Sequence, residues 1–225
     1  MKDELRHEQL SMGAKVIGVA ALRGYMSGEL AHLNIAISIG VDRRLNEDTL
    51  SQLMKLQKRA VRFLKSRGYR TLAIPPDSDR QKGTFISKLY SLFTHKMAAT
   101  SAGIGWIGKN GLLISPDYGP RLSLVTVLTD APLEPDWPME RSLCGDCTLC
   151  VQYCPSQAIT GAEWSRSSPF VELVKLSVCR SHKATKRATD GKPNCGLCIN
   201  ICPYGRRESD SQNAEEKKPA LKRCY

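Results

Sequence analysis

Cys144, Cys147, Cys150 and Cys154, followed at once by Pro155, are spaced C-x2-C-x2-C-x3-C-P. Two residues between successive thiols let a chain wrap the corners of one iron–sulfur cubane, and the cysteine before proline sits past a bend, pointed at a neighbouring cluster. A second set follows in Cys195, Cys198 and Cys202, again with a proline, Pro203, and with Cys179 standing alone upstream. Exchanging the pre-proline cysteines gives one quartet of Cys144, Cys147, Cys150 and Cys202 and another of Cys154, Cys179, Cys195 and Cys198. Two [4Fe-4S] clusters consume these eight thiols, and Cys224 is left over as a free thiol. Zinc also binds C-x2-C pairs, but it gives no reason for a third cysteine two residues on, or for proline after both fourth positions.

The surrounding chain agrees with that chemistry. None of the nine cysteines falls in residues 1–143 of the 225. The opening MKDELRHEQL is charged throughout, and the longest apolar run near the start, Val16 to Leu22, is too short for a membrane span or a signal peptide. A cytoplasmic location is expected, where such thiols stay reduced and bind metal rather than pair. With 41% hydrophobic and 24% charged residues the chain should fold rather than remain disordered. The net charge of +11 suits nucleic acid, an acidic protein partner or compensation for anionic cofactors without choosing among them. Oxidised clusters of about −2 each would absorb part of it.

The elements that must position the thiols are read from periodicity. Residues 15–22 and 34–41 are short, β-branched and apolar, which predicts two buried strands. A helix follows from an N-cap at Asn46, with Leu50, Leu53, Met54, Gln57, Ala60, Val61 and Leu64 at helical spacing and Gly68 as the stop. The basic residues between Lys55 and Arg70 read as a solvated face favoured by the helix dipole. Residues 70–74 predict a third strand and about 81–101 a further helix; after the glycine-rich turn AGIGWIGKNG come strands GLLIS and LSLVTVLTD. Pro132, Pro135 and Pro138 predict a linker. The fold class is α+β: an N-terminal mixed α/β domain over 1–138, a two-[4Fe-4S] domain over 139–206 and a polar tail over 207–225. The basic insert between Cys179 and Cys195, with Arg180, Lys183, Lys186, Arg187 and Lys192, reads as a solvated loop, the alternative being a docking face for an acidic electron donor.

The segment AGIGWIGKNGLLI, then LTDAPLEPD, the C-x2-C-x2-C-x3-C-P run and the later C-x2-C-x3-C-P, taken in order, resembles the epoxyqueuosine reductase family and its shorter iron–sulfur relatives over about residues 85–205. The resemblance implies a core domain that binds cobalamin beside a ferredoxin-like two-cluster domain, which feeds electrons to cobalt for removal of an epoxide oxygen from a tRNA base. By position it assigns Trp106, Gly108, Lys109 and Asn110 to the turn near the cofactor. The turn has a logic of its own, since its glycines permit close backbone approach to a ligand and Lys109 supplies a cation.

The chain departs from the family's pattern in three places. No carboxylate lies between Phe85 and Asp117, where the family carries its proton-donor Asp; the chain stops soon after the second cysteine motif; and its N-terminal portion is short. His95 and Lys96 are the titratable groups left in that stretch and are the candidate proton donors, with a backbone-bonded His95 as the alternative. Tyr118, Arg121 and Trp137 read as packing and turn residues, Arg121 also as a partner for an anionic substrate.

The expected function is an iron–sulfur oxidoreductase. It would relay single electrons through two clusters to a cofactor or substrate site at the domain junction, with cobalamin implied by the resemblance. The redox donor would be a ferredoxin or flavodoxin, the substrate a small molecule or a tRNA base, and no membrane would be involved. The alternatives are an electron-carrier subunit without chemistry of its own and a tRNA-modifying epoxyqueuosine reductase proper.

Overall fold

Ile35, Ile37, Ile39 and Val41 alternate along one strand with the small residues Ala36, Ser38 and Gly40, and all of them are buried. A strand covered on both faces needs apolar or small residues at every position, which explains a continuous run in place of a polar alternation. In the computed structural model, which describes residues 1–22, 30–43, 48–74, 76, 94–169, 171–191 and 195–205, this strand is β2 (Ile35–Asp42). It pairs with β1 (Val16–Ala21) on one side and with β6 (Leu122–Thr129) on the other, and β3 (Thr71–Ile74) lies beyond β6. Every pairing is antiparallel, in the order β1-β2-β6-β3.

Helix α2 (Thr49–Lys65) covers the larger side-chain face, with Leu53, Leu56, Ala60, Phe63 and Leu64 in one core with Ile37, Ile39, Val125 and Val127. Its N-cap is Asp48, whose carboxylate accepts from Ser51 N–H at 3.2 Å. Asn46, the expected cap, lies outside the described residues, as do Phe85, Leu89, Leu92 and Phe93 of the expected 81–101 helix. Within the expected span the structure describes α3 (His95–Ser101), which begins at an extended N-cap, Thr94, whose hydroxyl oxygen accepts from Met97 N–H at 3.1 Å, so no single helix runs through to Ser101; α3 packs on the small-residue face. The approach is close: a Cβ on Gly18 would lie 2.6 Å from the Ala102 carbonyl oxygen.

Helix α1 (Lys2–Ser11) has no counterpart in the sequence reading. It buries Leu5 and Gln9 and ties Glu4 and Glu8 to Arg67 and Arg59, so two cations expected on a solvated face hold this helix instead. The proline-rich stretch is likewise no free linker. Asp136 accepts from Lys2 Nζ at 2.7 Å, from Arg6 and from Val19 N–H at 2.8 Å, and Asp136 N–H returns to the Val19 carbonyl. Partial burial alone would raise its pKa, but the Lys2 and Val19 hydrogen bonds and the charges of Lys2 and Arg6 outweigh this and hold it below the usual carboxylate value. Trp137, expected to pack, is 91% exposed.

The chain divides into two units. The first comprises Met1–Gly105 and Leu122–Met139, and the second Trp106–Arg121 and Glu140 onward. Trp106–Arg121, read from sequence with residues 1–138, thus groups with the cysteines. It forms the hairpin β4 (Trp106–Ile107) and β5 (Leu113–Ile114). The rest of the second unit is irregular chain carrying α4 (Leu149–Gln152), α5 (Leu176–Asp190) and α6 (Leu197–Asn200). The insert read as a loop is helical over α5: it has no Gly or Pro before Gly191, and Gly191 closes it in the left-handed conformation. Among the described residues no helix is long and apolar enough to cross a membrane.

Candidate metal centre

The eight thiols belong to the second unit and sort into two neighbourhoods. Burial and the charges of Cys144, Cys202 and Cys147 together push Cys150 up to about 12. Burial, Cys144 and Cys147 raise Cys202 to about 11 against the opposing Tyr204 backbone hydrogen bond and Arg121. Cys198 is raised by burial and by Cys179, Cys195 and Cys154. The strongest neighbours of each thiol are thus members of one quartet, and each quartet borrows its pre-proline cysteine from the other motif. Cys198 also reaches Cys150 as the weakest of that thiol's influences, so the two quartets adjoin.

Such crowding opposes the state a metal requires, because like charges disfavour simultaneous ionisation and only bound cations can offset them. Among the described residues no three His, Cys, Asp or Glu side chains converge on a single metal ion. Backbone donors reach both pre-proline thiols. Ala158 N–H lies 3.3 Å from Cys154 Sγ, and with Ser156 it holds Cys154 below its ordinary value despite partial burial, while Cys202 receives Tyr204 N–H.

The hairpin Trp106–Arg121 binds the carbonyls of both cysteine motifs. Lys109, 6% exposed, donates to Gly145 O at 2.6 Å between Cys144 and Cys147, with Glu163 at 3.4 Å on its other side. Asn110 donates to Cys198 O at 3.1 Å and accepts from Leu112 N–H. Arg121, 8% exposed, donates to Tyr204 O at 3.1 Å and Ile199 O at 3.4 Å, so it faces the second cysteine loop rather than a substrate. Tyr204 closes the circuit, its hydroxyl donating to Leu143 O at 2.8 Å and its ring meeting Trp106 edge-on. Sequence reasoning missed Tyr204 and Glu163, which carry no motif.

This disposes of most of the polar groups assigned to cobalamin by resemblance. Lys109 and Asn110 are spent on the cysteine loops, and a Cβ on Gly108 would lie 2.7 Å from Ile114 in its own hairpin. Trp106 is buried, with an indole N–H that has no acceptor among the described residues. Of the four residues, the side chains of Lys109 and Asn110 therefore brace the cysteine loops. His95 lies in the first unit, 5% exposed, with Nδ1 2.8 Å from Thr126 Oγ1, while Lys96 on the same helix is exposed.

Residues 143–205 match the 4Fe-4S double cluster binding domain. The epoxyqueuosine reductase of Synechococcus sp. (strain RCC307) is 38% identical over 124 residues, 52% of this chain and 36% of that protein. Over this stretch the chain is similar to the epoxyqueuosine reductases. The Listeria monocytogenes enzyme of that name is 36% identical over 124 residues, 54% of this chain and 32% of that protein. The match thus spans about a third of the curated relatives' length. The epoxyqueuosine reductase structure from Streptococcus thermophilus superposes with TM-score 0.61 at 20% identity, covering 92% of this chain and 66% of its own. The reductive dehalogenase NpRdhA superposes with TM-score 0.63 at 19% identity over 94% of this chain and 33% of its own. These structural likenesses show the fold alone.

Proposed function

We propose that the chain is a two-cluster iron–sulfur reductase module. Cluster I is held by Cys144, Cys147, Cys150 and Cys202, and cluster II by Cys154, Cys179, Cys195 and Cys198. The observation that carries this reading is the sorting of eight thiols into two adjoining quartets, each completed by the other motif's pre-proline cysteine. Bound clusters supply one-electron chemistry, and ligands interleaved in this way keep two clusters within reach of one another. The protein's own contribution is to hold the ligands and set their surroundings. The hairpin fixes loop carbonyls, and backbone N–H groups reach the pre-proline sulfurs.

The donor in this reading is an acidic one-electron carrier of the ferredoxin or flavodoxin type. Helix α5 supports it, since it carries Cys179 in its first turn, buries none of its residues and presents Arg180, Lys183, Lys186 and Arg187. Its acceptor is the open part. The epoxyqueuosine reductase relatives suggest an epoxide on a modified tRNA base, and the likeness to a B12-dependent dehalogenase suggests a corrinoid. A second reading, an electron carrier that serves a separate enzyme, draws support from Lys109 and Asn110 being spent on the cluster loops.

Anaerobic reconstitution tests the module: about eight irons per chain are expected. Cys202→Ala should remove or convert cluster I while the spectrum of cluster II persists. Stoichiometric zinc without sulfide, or a Cys202→Ala protein with both centres unchanged, would overturn the assignment. Cobalt retained after purification with cobalamin separates the corrinoid reading from the carrier.

A further inference from the structure

The two quartets differ in the charges built around them, and the difference sets a direction. Cys154 receives the backbone N–H groups of Ser156, Ala158 and Ile159 and the Ser156 side chain, whereas Cys202 receives that of Tyr204, so hydrogen bonds to these two sulfurs favour reduction of cluster II. The buried cations act the other way. Lys109 and Arg121 are both buried and held by carbonyl oxygens: Lys109 on the loop between Cys144 and Cys147, Arg121 on Tyr204 after Cys202 at 3.1 Å and, at 3.4 Å, on Ile199 next to Cys198. The charge on Arg121 acts on Cys202 itself. On α5, which carries Cys179, Arg180 and Arg187 are exposed and Lys183 and Lys186 half-buried, and of these Lys186 acts on Cys195. Water and salt screen such charges, whereas a cation fixed in the interior keeps most of its field.

Adding an electron to a cluster makes it more negative by one charge, so a buried cation nearby favours the reduced form. We infer that cluster I is the more easily reduced of the two, because Lys109 and Arg121 are fixed beside its loops, and that electrons run from cluster II to cluster I. This rests on the two-cluster reading above. In the step itself, an external low-potential one-electron donor first reduces cluster II from the 2+ to the 1+ core. Cluster II then returns to 2+ as cluster I goes from 2+ to 1+, with no bond made or broken. Lys109 and Arg121 act here as positioning residues whose charge biases the pair.

The test is a potentiometric titration of the reconstituted full chain, reduced stepwise with dithionite and followed by electron paramagnetic resonance. Cys147→Ser identifies the cluster I signal by altering one of its ligands. Lys109→Gln keeps an N–H donor for the Gly145 carbonyl but removes the charge. It should lower the reduced-to-oxidised ratio of cluster I about tenfold at the wild-type midpoint, a shift of about 59 mV for one electron, and leave cluster II in place. A bracing role alone would leave the potential unmoved. Glu163→Gln, at a largely exposed position, removes the counter-charge 3.4 Å from Lys109 and should shift cluster I the other way. Cluster I midpoints unmoved in both variants, or a wild-type cluster I with the lower midpoint, would overturn the inference while two clusters remained bound. A wild-type iron content well below about eight per chain would overturn the two-cluster reading on which it rests.

Discussion

Cys150 shows what the protein does to a ligand before any metal arrives. Its thiol is pushed up to about 12 by burial and by the charges of Cys144, Cys202 and Cys147, and Cys202 to about 11. An unfolded chain releases these protons near the ordinary value of 9.0, while the folded, cluster-free chain holds them longer. Between 9.0 and about 12 the native state therefore binds more protons than the unfolded one, so apo stability falls as pH rises through that window and is unaffected below it. Cluster assembly inverts the preference, because each ligand must surrender its proton to iron. The thermal midpoint of cluster-free protein should drop between about pH 8 and about pH 10.5. Reconstitution in weak buffer should acidify the solution. A cluster-free protein with a flat midpoint across that range would show that the thiols do not share the surroundings described.

At the scale of elements, the crossing of two chain segments braces the loop that carries Cys202, a ligand of the proposed cluster I. Gly119 (φ +54°) and Gly205 (φ +68°) sit where the hairpin meets the segment after Cys202, and a Cβ on Gly119 would lie 2.0 Å from the Tyr204 carbonyl oxygen. Gly119→Ala must open that crossing and also strain its own backbone, a cost of about 3 kcal/mol or more. Because Tyr204 follows Cys202 by two residues, the loss should fall on cluster I: iron content should move from about eight toward about four per chain. A variant with full iron and an unchanged melting point would show that the crossing is not needed. These elements differ in how much of them the sequence reveals. The strands of the first unit were legible because runs such as NIAISIGV answer to burial on both faces, and the cysteine spacing was legible because cluster geometry demands it. Helix α1 was not, since its bond to the fold is two acid–base pairs with α2 and only Leu5 and Gln9 are buried. The bracing contact of the GWIGKN turn was not legible for a related reason: glycines and a lysine look alike in sequence whether or not they hold a neighbouring loop, and only the partner, here Gly145 O, shows it.

Over the whole molecule the two units draw their stability from different sources. A core running from Leu5 through Ile37 and Leu64 to Leu133 lies entirely in the first unit, where a four-stranded sheet is covered by helices on both faces. In the second unit α4, α5 and α6 bury none of their residues, and the buried apolar side chains are fewer, among them Trp106, Ile114, Ala158, Trp164 and Ile201. Short helices are marginal on their own and need tertiary packing to persist. Where apolar packing is thin, ligand bonds to a bound cluster must supply the difference, so cluster binding and folding of this unit are one equilibrium. The first unit has no such dependence. Calorimetry of the reconstituted protein should give two separable transitions, and anaerobic chelation should abolish the one assigned to the second unit while moving the other by no more than a few degrees. Hydrogen exchange makes the same point residue by residue: on cluster removal, protection should vanish across 140–205 and survive in β2 and β6. Collapse of both units together on chelation would mean that the sheet too depends on iron, and the division of stability drawn from their cores would be wrong.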